Sequence, residues 1–247
     1  MKLSKDEINK AVVSQLAVDL NCSQEDFKRD GIVFCESKEN PGRRPFPRGA
    51  RHFEMATMGA AVIVSATMDI LPFLKEQLKD KNRDEAFSMP FINGQGIYYL
   101  PDDPRRLEAP KGFEYELVEQ KEIFPLYALE GFGHAIVYEN KPLRTDVLVT
   151  LAKKDGKVVA MAGASIDCEM LWQIGVNVLP GYRGLGLGAV LTNHLAIEIL
   201  ERGKIPYYGL AASNVASQRT AHRAGLMPAW YCVWRGRFDG ILTEPTS

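Results

Sequence analysis

The chain lacks an excess of basic residues. Its 247 residues contain 30 Lys and Arg against 31 Asp and Glu, which gives a formal net charge of −1 at pH 7. Proteins that hold nucleic acid or an anionic membrane surface by a long-range field carry a clear basic excess. We therefore expect that neither nucleic acid nor a membrane is a partner.

Cysteine is also scarce. The four cysteines, at positions 22, 35, 168 and 232, include no Cys-x-x-Cys pair, and no histidine is spaced to complete a zinc site. The sequence therefore predicts no metal centre, and it predicts buried, free thiols in a reducing compartment.

Long apolar runs are missing as well. The longest, "MGAAVIVSATM", is too short to cross a bilayer. The first residues, "MKLSKDEINK", are charged where a secretory signal is apolar. These two features predict a cytoplasmic protein.

The first hundred residues have the pattern of a small α+β unit. Ser4 and Glu7 have capping-box spacing in front of an apolar helical stripe. Two apolar stretches, an amphipathic helix that Asp69 would cap, and the strand-like "GQGIYYL" come later. Between them, residues 36–52 are rich in Pro, Gly and charge and predict a loop, whose arginines either face solvent or grip an anion. These arginines are Arg43, Arg44, Arg48 and Arg51.

A second segment rich in proline and charge, "PDDPRRLEAPKG" at 101–112, is typical of a linker. We therefore expect an N-terminal α+β domain over 1–105 and a second domain over 112–247. In the second domain the patterns predict a strand, an interrupted helical region, three strands, a helix, a strand, a helix and a last strand.

The most informative stretch is "VNVLPGYRGLGLGAVLTNHL", residues 176–195. Here a strand enters a helix through three glycines, although each glycine costs a helix roughly 1 kcal/mol relative to alanine. Such a turn presents free amide groups at the positive end of a helix, which suits a phosphate. The stretch lacks the Gly-Lys-Ser/Thr of a P-loop and the G-x-G-x-x-G spacing of a dinucleotide fold, which excludes both patterns.

The turn "RGLGLG" at 183–188 and the later "NVASQRTAHRAGL" resemble the two coenzyme A motifs of the GCN5-related N-acetyltransferase (GNAT) superfamily. The similarity covers about residues 112–240. Residues 170–191 and 206–230 further resemble bacterial acetyltransferases grouped with zwittermicin resistance proteins. It implies an α/β (α+β) GNAT fold, in which a mixed central sheet is flanked by helices and preceded by the smaller N-terminal domain. It also implies acetyl-CoA as cosubstrate, no metal, and direct transfer of an acetyl group to a primary amine, of a small molecule, in a ternary complex.

The resemblance further implies which residues contact coenzyme A. These are Val176, Val178, Leu179, Arg183, Gly184, Leu185, Gly186, Leu187, Gly188, Ala189, Asn214 and Ser217. Purely structural roles remain open for several of them. The glycines would also allow close packing of the helix, Arg183 would also cap a loop, and Asn214 is a good helix cap.

The catalytic residues are less well marked. Glu169 is the expected general base, by a loose match to family members with a glutamate near the start of this strand, and Asp167 is its competitor. Many family members carry a tyrosine as general acid where this chain has Ala221. The candidates to replace it are Tyr207, Tyr208 and Tyr231, of which we select Tyr208.

A second function fits the same motifs. The chain could be a non-catalytic acyl-CoA-binding module in which Ala221 marks a lost active site and the N-terminal domain is an interaction domain. As an enzyme, it would use its N-terminal domain to shape the acceptor site. The identity of the acceptor stays open, as does the choice between a monomer and a homodimer.

Overall fold

The computed structural model describes residues 3–45, 51–139, 141–142, 144–236 and 238. Its helices are α1 (Lys5–Leu20), α2 (Leu71–Leu78), α3 (Arg83–Phe87), α4 (Leu187–Glu201) and α5 (Val215–Arg223). Its strands are β1 (Ile32–Glu36), β2 (Phe53–Thr57), β3 (Val62–Ala66), β4 (Ile92–Pro101), β5 (Glu114–Glu119), β6 (Asp146–Lys154), β7 (Lys157–Ile166), β8 (Leu171–Val178), β9 (Ile205–Ala211) and β10 (Leu226–Gly236). Short 3-10 helices occupy Gln24–Lys28, Gln120–Glu122, Phe124–Ala128 and Pro180–Tyr182.

The chain divides into two compact units. The main unit, which contains the glycine turn, comprises Met1–Ile8 and Tyr99–Pro228, and the second unit comprises Asn9–Tyr98 and Ala229–Ser247. This division differs from the predicted domains, 1–105 and 112–247, because each end of the chain is grouped with the opposite part. Residues 46–50 and 239–247 lie outside the described residues, and so does Arg48.

The main unit is built on a mixed sheet in the order β9-β8-β7-β6-β5. The pairs β5–β6, β6–β7 and β7–β8 are antiparallel, whereas β8 and β9 are parallel. Helix α4 packs across β6, β7 and β8. Every second residue of β7 points to this face, and three of these residues are the buried Ala160, Ala162 and Ala164. Their small side chains let the helix lie close to the sheet. The element order predicted after residue 112 is therefore confirmed.

The opposite face of this sheet is covered by residues 120–136. Their side chains Ile123, Phe132 and Ile136 pack in one apolar cluster with Val149 and Met161 of the sheet. The sequence predicted an interrupted helical region here, and the structure has two short 3-10 helices followed by turns. Both faces of the sheet are thus buried, each by a different part of the chain.

The predicted linker is bound to the main unit. The buried Asn193 side chain of α4 accepts a hydrogen bond from the Leu107 amide (2.9 Å) and donates to the Arg105 carbonyl (2.9 Å). Arg106 forms an ion pair with Glu198 at 2.9 Å. A buried amide side chain without these partners would be costly, so residues 105–107 belong to the folded unit.

The second unit has a sheet in which β1 is parallel to β3, and β2 is antiparallel to both β3 and β10. Its arginines correct the loop prediction. Arg44 is buried and its guanidinium lies 2.6 Å from the Asp19 carboxylate, while Arg43 lies 3.4 Å from Glu54. Arg51 lies 2.9 Å from Asp69, which does not cap α2. These side chains hold the segment to its unit by internal ion pairs.

The four cysteines are free, but only Cys232 is buried, and the other three are half-buried. The prediction of buried thiols is therefore wrong for three of them. In the part of the chain that the structure describes, no helix is long and apolar enough to cross a membrane. Within the same residues, no three His, Cys, Asp or Glu side chains are grouped so that they could hold a metal ion.

Candidate active site

Strands β8 and β9 separate part-way along their length. Their parallel register covers only Leu171 to Gln173 on β8, although β8 continues to Val178 and β9 to Ala211. Over the same stretch, β8 stays paired with β7 up to Val178. The sheet therefore opens between the C-terminal halves of β8 and β9.

The backbone of β8 offers free donors to this opening. The Met170 carbonyl accepts from the Ile205 amide beside it on β9 (2.8 Å), whereas the Leu179 amide donates to Val159 on the β7 side (3.0 Å). Because backbone groups alternate along a strand, the even-numbered residues of β8 direct their amides toward β9. The amides that face the opening are those of Val176 and Val178.

The glycine turn lies at the same end of β8. Gly184 and Gly186 have φ angles of +83° and +86°, in the left-handed region that strongly favours glycine. Gly186 caps α4, and its carbonyl accepts a hydrogen bond from the Val190 amide (3.1 Å), which opens the helical bonding pattern. The amides of the first helical turn precede that bond and form a positive helix end. They belong to Leu187, Gly188 and Ala189.

A cleft of about 610 Å³ joins this turn to the opened strands. Its walls include the glycine turn, Arg183, Val176 and Val178, and the start of α5 with Asn214 and Ser217. At Gly188, a Cβ atom would lie 3.4 Å from Val178 Cγ2 and 3.7 Å from Thr220 Cγ2, so α4, α5 and β8 meet closely there. We call this cleft the turn cleft.

A second cleft, of about 420 Å³, lies on the other face of the sheet, and its position is set by two glycines. Gly163 and Gly175 are cross-strand partners on β7 and β8. A Cβ atom on Gly175 would lie 1.7 Å from the His134 carbonyl oxygen, and one on Gly163 would lie 2.2 Å from the Ala135 carbonyl oxygen. The backbone at 134–135 therefore crosses the sheet where only glycine leaves room.

Asn177 fixes this crossing backbone. Its Oδ1 accepts hydrogen bonds from the amides of His134 and Ala135, both at 2.8 Å. The exposed His134 then lines the second cleft together with Tyr138 and Arg144. We call this the loop cleft.

The two clefts meet at the opened strands. Gly175 faces the loop cleft, while the Val176 and Val178 side chains face α4, because successive residues of a strand point to opposite faces. Four residues nevertheless line both clefts, and these are Val176, Tyr208, Asn214 and Ser217. The sheet thus carries one cavity on each face and a passage between them.

One segment of the chain matches a known protein family. Residues 114–226 match the family model of the acetyltransferase (GNAT) family. This segment is a GNAT acetyltransferase domain. The predicted family is therefore confirmed, and the observed mixed sheet with flanking helices is the predicted fold class.

Solved structures give weaker likenesses, each to only part of the chain. A GCN5-related N-acetyltransferase-like protein from Streptococcus suis is 18% identical over 72% of this chain and 71% of its own, with a TM-score of 0.46. A GNAT-family acetyltransferase from Colwellia psychrerythraea is 12% identical over 76% of this chain and 65% of its own, also with a TM-score of 0.46. YncA of Salmonella typhimurium, solved with its cofactor acetyl-CoA, is 16% identical over 51% of this chain and 94% of its own, with a TM-score of 0.37. No match was found among curated proteins. The family assignment rests on the family model alone.

Within the GNAT domain, most of the predicted coenzyme A residues line the turn cleft, with two exceptions. The Leu179 amide donates to the Val159 carbonyl and is not available to a ligand. Of the three predicted residues at this end of β8, only Val176 and Val178 present amides to the opening. Leu185 is half exposed and does not line the cleft. The prediction of side-chain or amide contacts at these two positions is not supported by the geometry.

Two polar residues of the GNAT domain have structural contacts as well. Arg183 Nε donates to the Val178 carbonyl (3.1 Å), so this side chain caps the end of β8, and Arg183 also lines the cleft. Asn214 Oδ1 accepts from the Ser217 amide (3.1 Å) and caps α5. The cap uses the oxygen of the carboxamide and leaves its NH2 group to serve a ligand.

Asp167, predicted as an alternative general base, is buried, and its carboxylate contacts a cation and two hydroxyl groups. Its carboxylate lies 2.5 Å from Arg144 Nε, and it accepts hydrogen bonds from the Ser165 hydroxyl (3.3 Å) and the Tyr207 hydroxyl. A carboxylate held by a cation and two hydroxyls is a poor proton acceptor, because each contact stabilises the charged form. Asp167 instead holds Arg144 and Tyr207 at one end of the loop cleft.

Glu169, predicted as the general base, is exposed in the turn before β8 and lines neither cleft. The turn adjoins the end where β8 and β9 are still paired. From Leu171 to Val176 the strand extends about 16 Å at roughly 3.3 Å per residue. Glu169 was expected near the start of β8 to reach the reacting groups, whereas the opening lies at the C-terminal end of this strand.

Tyr208 is the one predicted catalytic residue that lies at the passage. It follows the last paired residue of β9, is buried, and lines both clefts. Burial raises the pKa of its phenol, and a hydrogen bond with the Ser217 side chain acts in the opposite direction. The other two candidates are committed elsewhere, since Tyr207 bonds Asp167 and Tyr231 donates to Gln95 in the second unit (2.5 Å).

Sequence reasoning missed the loop cleft of the GNAT domain. Glycines at 163 and 175 stand inside predicted strands, where an isolated glycine signals a close backbone approach. That signal was present, but only the cross-strand register shows that the two glycines form one site. No sequence motif pointed to His134, because its position in the cleft depends on the fold of residues 120–136.

Proposed function

We propose that this protein transfers the acetyl group of acetyl-CoA to a primary amine of a small molecule, directly and within a ternary complex. The observation that carries the proposal is the pair of clefts on opposite faces of one sheet, which meet at four shared residues. One cleft suits a phosphate-bearing cosubstrate, and the other suits a second small molecule. The passage is where the reacting groups would meet.

The turn cleft fits coenzyme A. Its glycine turn allows anionic oxygens to approach the backbone, and the free amides of α4 supply donors at a positive helix end. Arg183 adds a charge beside them, while Asn214 and Ser217 at the start of α5 line the path toward β8. The pyrophosphate would lie at the helix end, and the thioester would extend along the opened strands.

The chemistry would proceed at the amide of Val176. The amine nitrogen attacks the thioester carbonyl carbon, and the carbonyl oxygen gains negative charge, which an amide directed into the opening stabilises. The carbon–sulfur bond then breaks and the thiolate leaves. Tyr208, which lines the cleft, would give its phenolic proton to that thiolate, and its raised pKa would keep it protonated until then.

The amine also has to lose a proton. His134 is the side chain of the loop cleft that we assign to accept it, because an unprotonated imidazole nitrogen serves as a general base. Its backbone is fixed by Asn177 and by the glycine pair, so the ring is attached to a rigid segment. We propose His134 as the general base in place of Glu169.

Turnover separates this proposal from the alternative of a non-catalytic acyl-CoA-binding module. Full-length protein is incubated with acetyl-CoA and a panel of amines that includes amino sugars, polyamines, amino acids and peptide N-termini, and released thiol is measured. Thiol release that depends on one class of amine supports the enzyme. A thermal shift with acetyl-CoA but no thiol release with any amine supports the binding module. The role of residues 1–105 in shaping the acceptor site stays a prediction.

A further inference from the structure

Two cysteines of the second unit lie side by side, away from the residues of the proposed reaction. Cys22 comes shortly after the end of α1, and Cys35 is on β1. Their side chains share a hydrogen bond. Both residues are half-buried, so small reagents in solvent can reach the pair.

The backbone around Cys22 is fixed by the end of α1. The Cys22 amide donates to the Ala17 carbonyl (3.0 Å), and the Asn21 amide donates to the Val18 carbonyl (3.4 Å). Asn21 has a φ angle of +54°, in the left-handed region, so these two bonds form the Schellman motif that commonly ends a helix. The next residue, Ser23, caps the 3-10 helix that follows. The Cys22 thiol therefore projects from a backbone that is hydrogen-bonded on both sides.

The same motif is bonded to the strand that carries Cys35. Asn21 Nδ2 donates to the carbonyl of Glu36, the residue directly after Cys35 (2.8 Å). Asn40 Nδ2 donates to the Asn21 side-chain oxygen (3.0 Å) and holds that carboxamide in place. Along β1, Cys35 is paired with Ser65 of β3. The two thiols are therefore brought together by contacts that do not depend on a bond between them.

The hydrogen bond makes the two thiols chemically different. The bond to Cys22 lowers the pKa of the Cys35 thiol, although burial and the nearby Asp26 carboxylate act in the opposite direction. The same bond, together with burial, raises the pKa of the Cys22 thiol. Cys22 is thus the donor, and Cys35 is the sulfur that more readily becomes a thiolate, which is the form that attacks a disulfide. A nucleophilic thiol with a second thiol beside it can form a reversible disulfide.

We propose that Cys22 and Cys35 form a redox-sensitive dithiol, which closes to a reversible disulfide when the protein meets a low-molecular-weight disulfide. The Cys35 thiolate attacks one sulfur of the reagent, forms a mixed disulfide and releases the first small thiolate. The Cys22 sulfur then loses its proton, attacks Cys35 Sγ and releases the second small thiolate. The two small thiolates take up the two protons that the cysteines gave up, so the reagent is reduced and the protein dithiol is oxidised. This inference is independent of the proposed function.

The test is incubation of the reduced full-length protein with glutathione disulfide, followed by alkylation of the remaining thiols and peptide mass mapping. Wild type should yield a crosslinked peptide pair that joins Cys22 to Cys35 and disappears on reduction. Cys22→Ser should instead keep one glutathione on Cys35, because the second attack cannot occur. Cys35→Ser should react about tenfold more slowly at Cys22 than Cys22→Ser reacts at Cys35. The matched control is Cys168→Ser, which removes a half-buried thiol of the main unit and should leave the crosslink unchanged.

Three results would overturn the inference. One is folded wild type in which both thiols are still alkylated after exposure to glutathione disulfide. The second is wild type that keeps a mixed disulfide on Cys35 without the crosslink, and the third is a crosslink that joins either cysteine to Cys168 or Cys232 instead. A thermal melt of each variant confirms folding, since serine keeps a hydrogen-bonding group of similar size at each position.

Discussion

Replacement of Gly175 by alanine tests whether the crossing backbone organises the loop cleft. The new Cβ would lie 1.7 Å from the His134 carbonyl oxygen, and contacts under 3.0 Å are not sustained, so the backbone at 134 has to move by at least 1.3 Å. That displacement breaks the two hydrogen bonds to Asn177. At about 1 kcal/mol for each bond, the loss is about 2 kcal/mol, or a melting temperature lower by roughly 4–8 °C for a protein of this size.

The functional effect should be specific to the acceptor. A misplacement of about 1 Å near the reacting groups costs about 10²-fold in rate, so amine-dependent thiol release should fall by about that factor. Coenzyme A affinity should stay unchanged, because the turn cleft is on the other face of the sheet. Gly133→Ala is the matched control, since it lies in the same segment with no atom within 4 Å of an added Cβ. Wild-type turnover and melting temperature for Gly175→Ala would refute the reasoning.

Four further predictions concern the turn cleft, the passage and the base. Gly188→Val should weaken coenzyme A binding by ~2 kcal/mol or more, while Gly188→Ala does less and gains ~0.5–1 kcal/mol of stability; calorimetry and melts decide, and a folded valine variant with wild-type affinity contradicts the phosphate cradle. Tyr208→Phe should lower kcat by ~10²-fold with acetyl-CoA affinity retained, and unchanged kcat would move the acid elsewhere. Since burial raises the pKa of Tyr208 above its ordinary value of 10, turnover in alkaline buffer should not decline through this group until the pH exceeds that value. Glu169→Gln should leave turnover within about twofold, whereas a hundredfold loss would restore the sequence-based assignment.

The fold of the main unit was largely predictable from local patterns. Ser4 and Glu7 form the capping box that their spacing indicated, with bonds of 2.8 and 3.2 Å. Gly203 follows the last turn of α4 with φ +70°, the left-handed conformation in which glycine commonly ends a helix. These features depend on residues a few positions apart, which is why a single sequence contains them.

The unit boundaries and the charged segments were not predictable in the same way. Proline and charge marked residues 101–112 as a linker, but the partner that binds them, Asn193, is far away in the sequence. Likewise, Arg44 is buried because Asp19 lies beside it in the fold. A composition rich in proline and charge indicates that a segment is exposed to solvent. It does not reveal a partner far away in the sequence that binds and buries the segment.

The same distinction between local patterns and long-range contacts applies to the candidate site. Most of the residues predicted to contact coenzyme A line one cleft, because one strand, one turn and one helix end carry nearly all of them. The residues that line the loop cleft come from segments that meet only across the sheet, so the sequence did not reveal that Glu169 lies away from the opening or that His134 lies beside it. Tyr208, predicted as a catalytic residue, lines both clefts, whereas Tyr207 next to it has the opposite orientation and bonds Asp167; the catalytic role of Tyr208 stays a prediction.

The position of the two clefts on opposite faces of one sheet has a kinetic consequence. Under the proposed function, each substrate would have its own route from solvent, so neither would block the arrival or the departure of the other. Binding would then need no compulsory order, and spent coenzyme A would leave while the acetylated amine is still held. Product inhibition should then separate by face, with coenzyme A competing against acetyl-CoA and the acetylated amine competing against its parent amine.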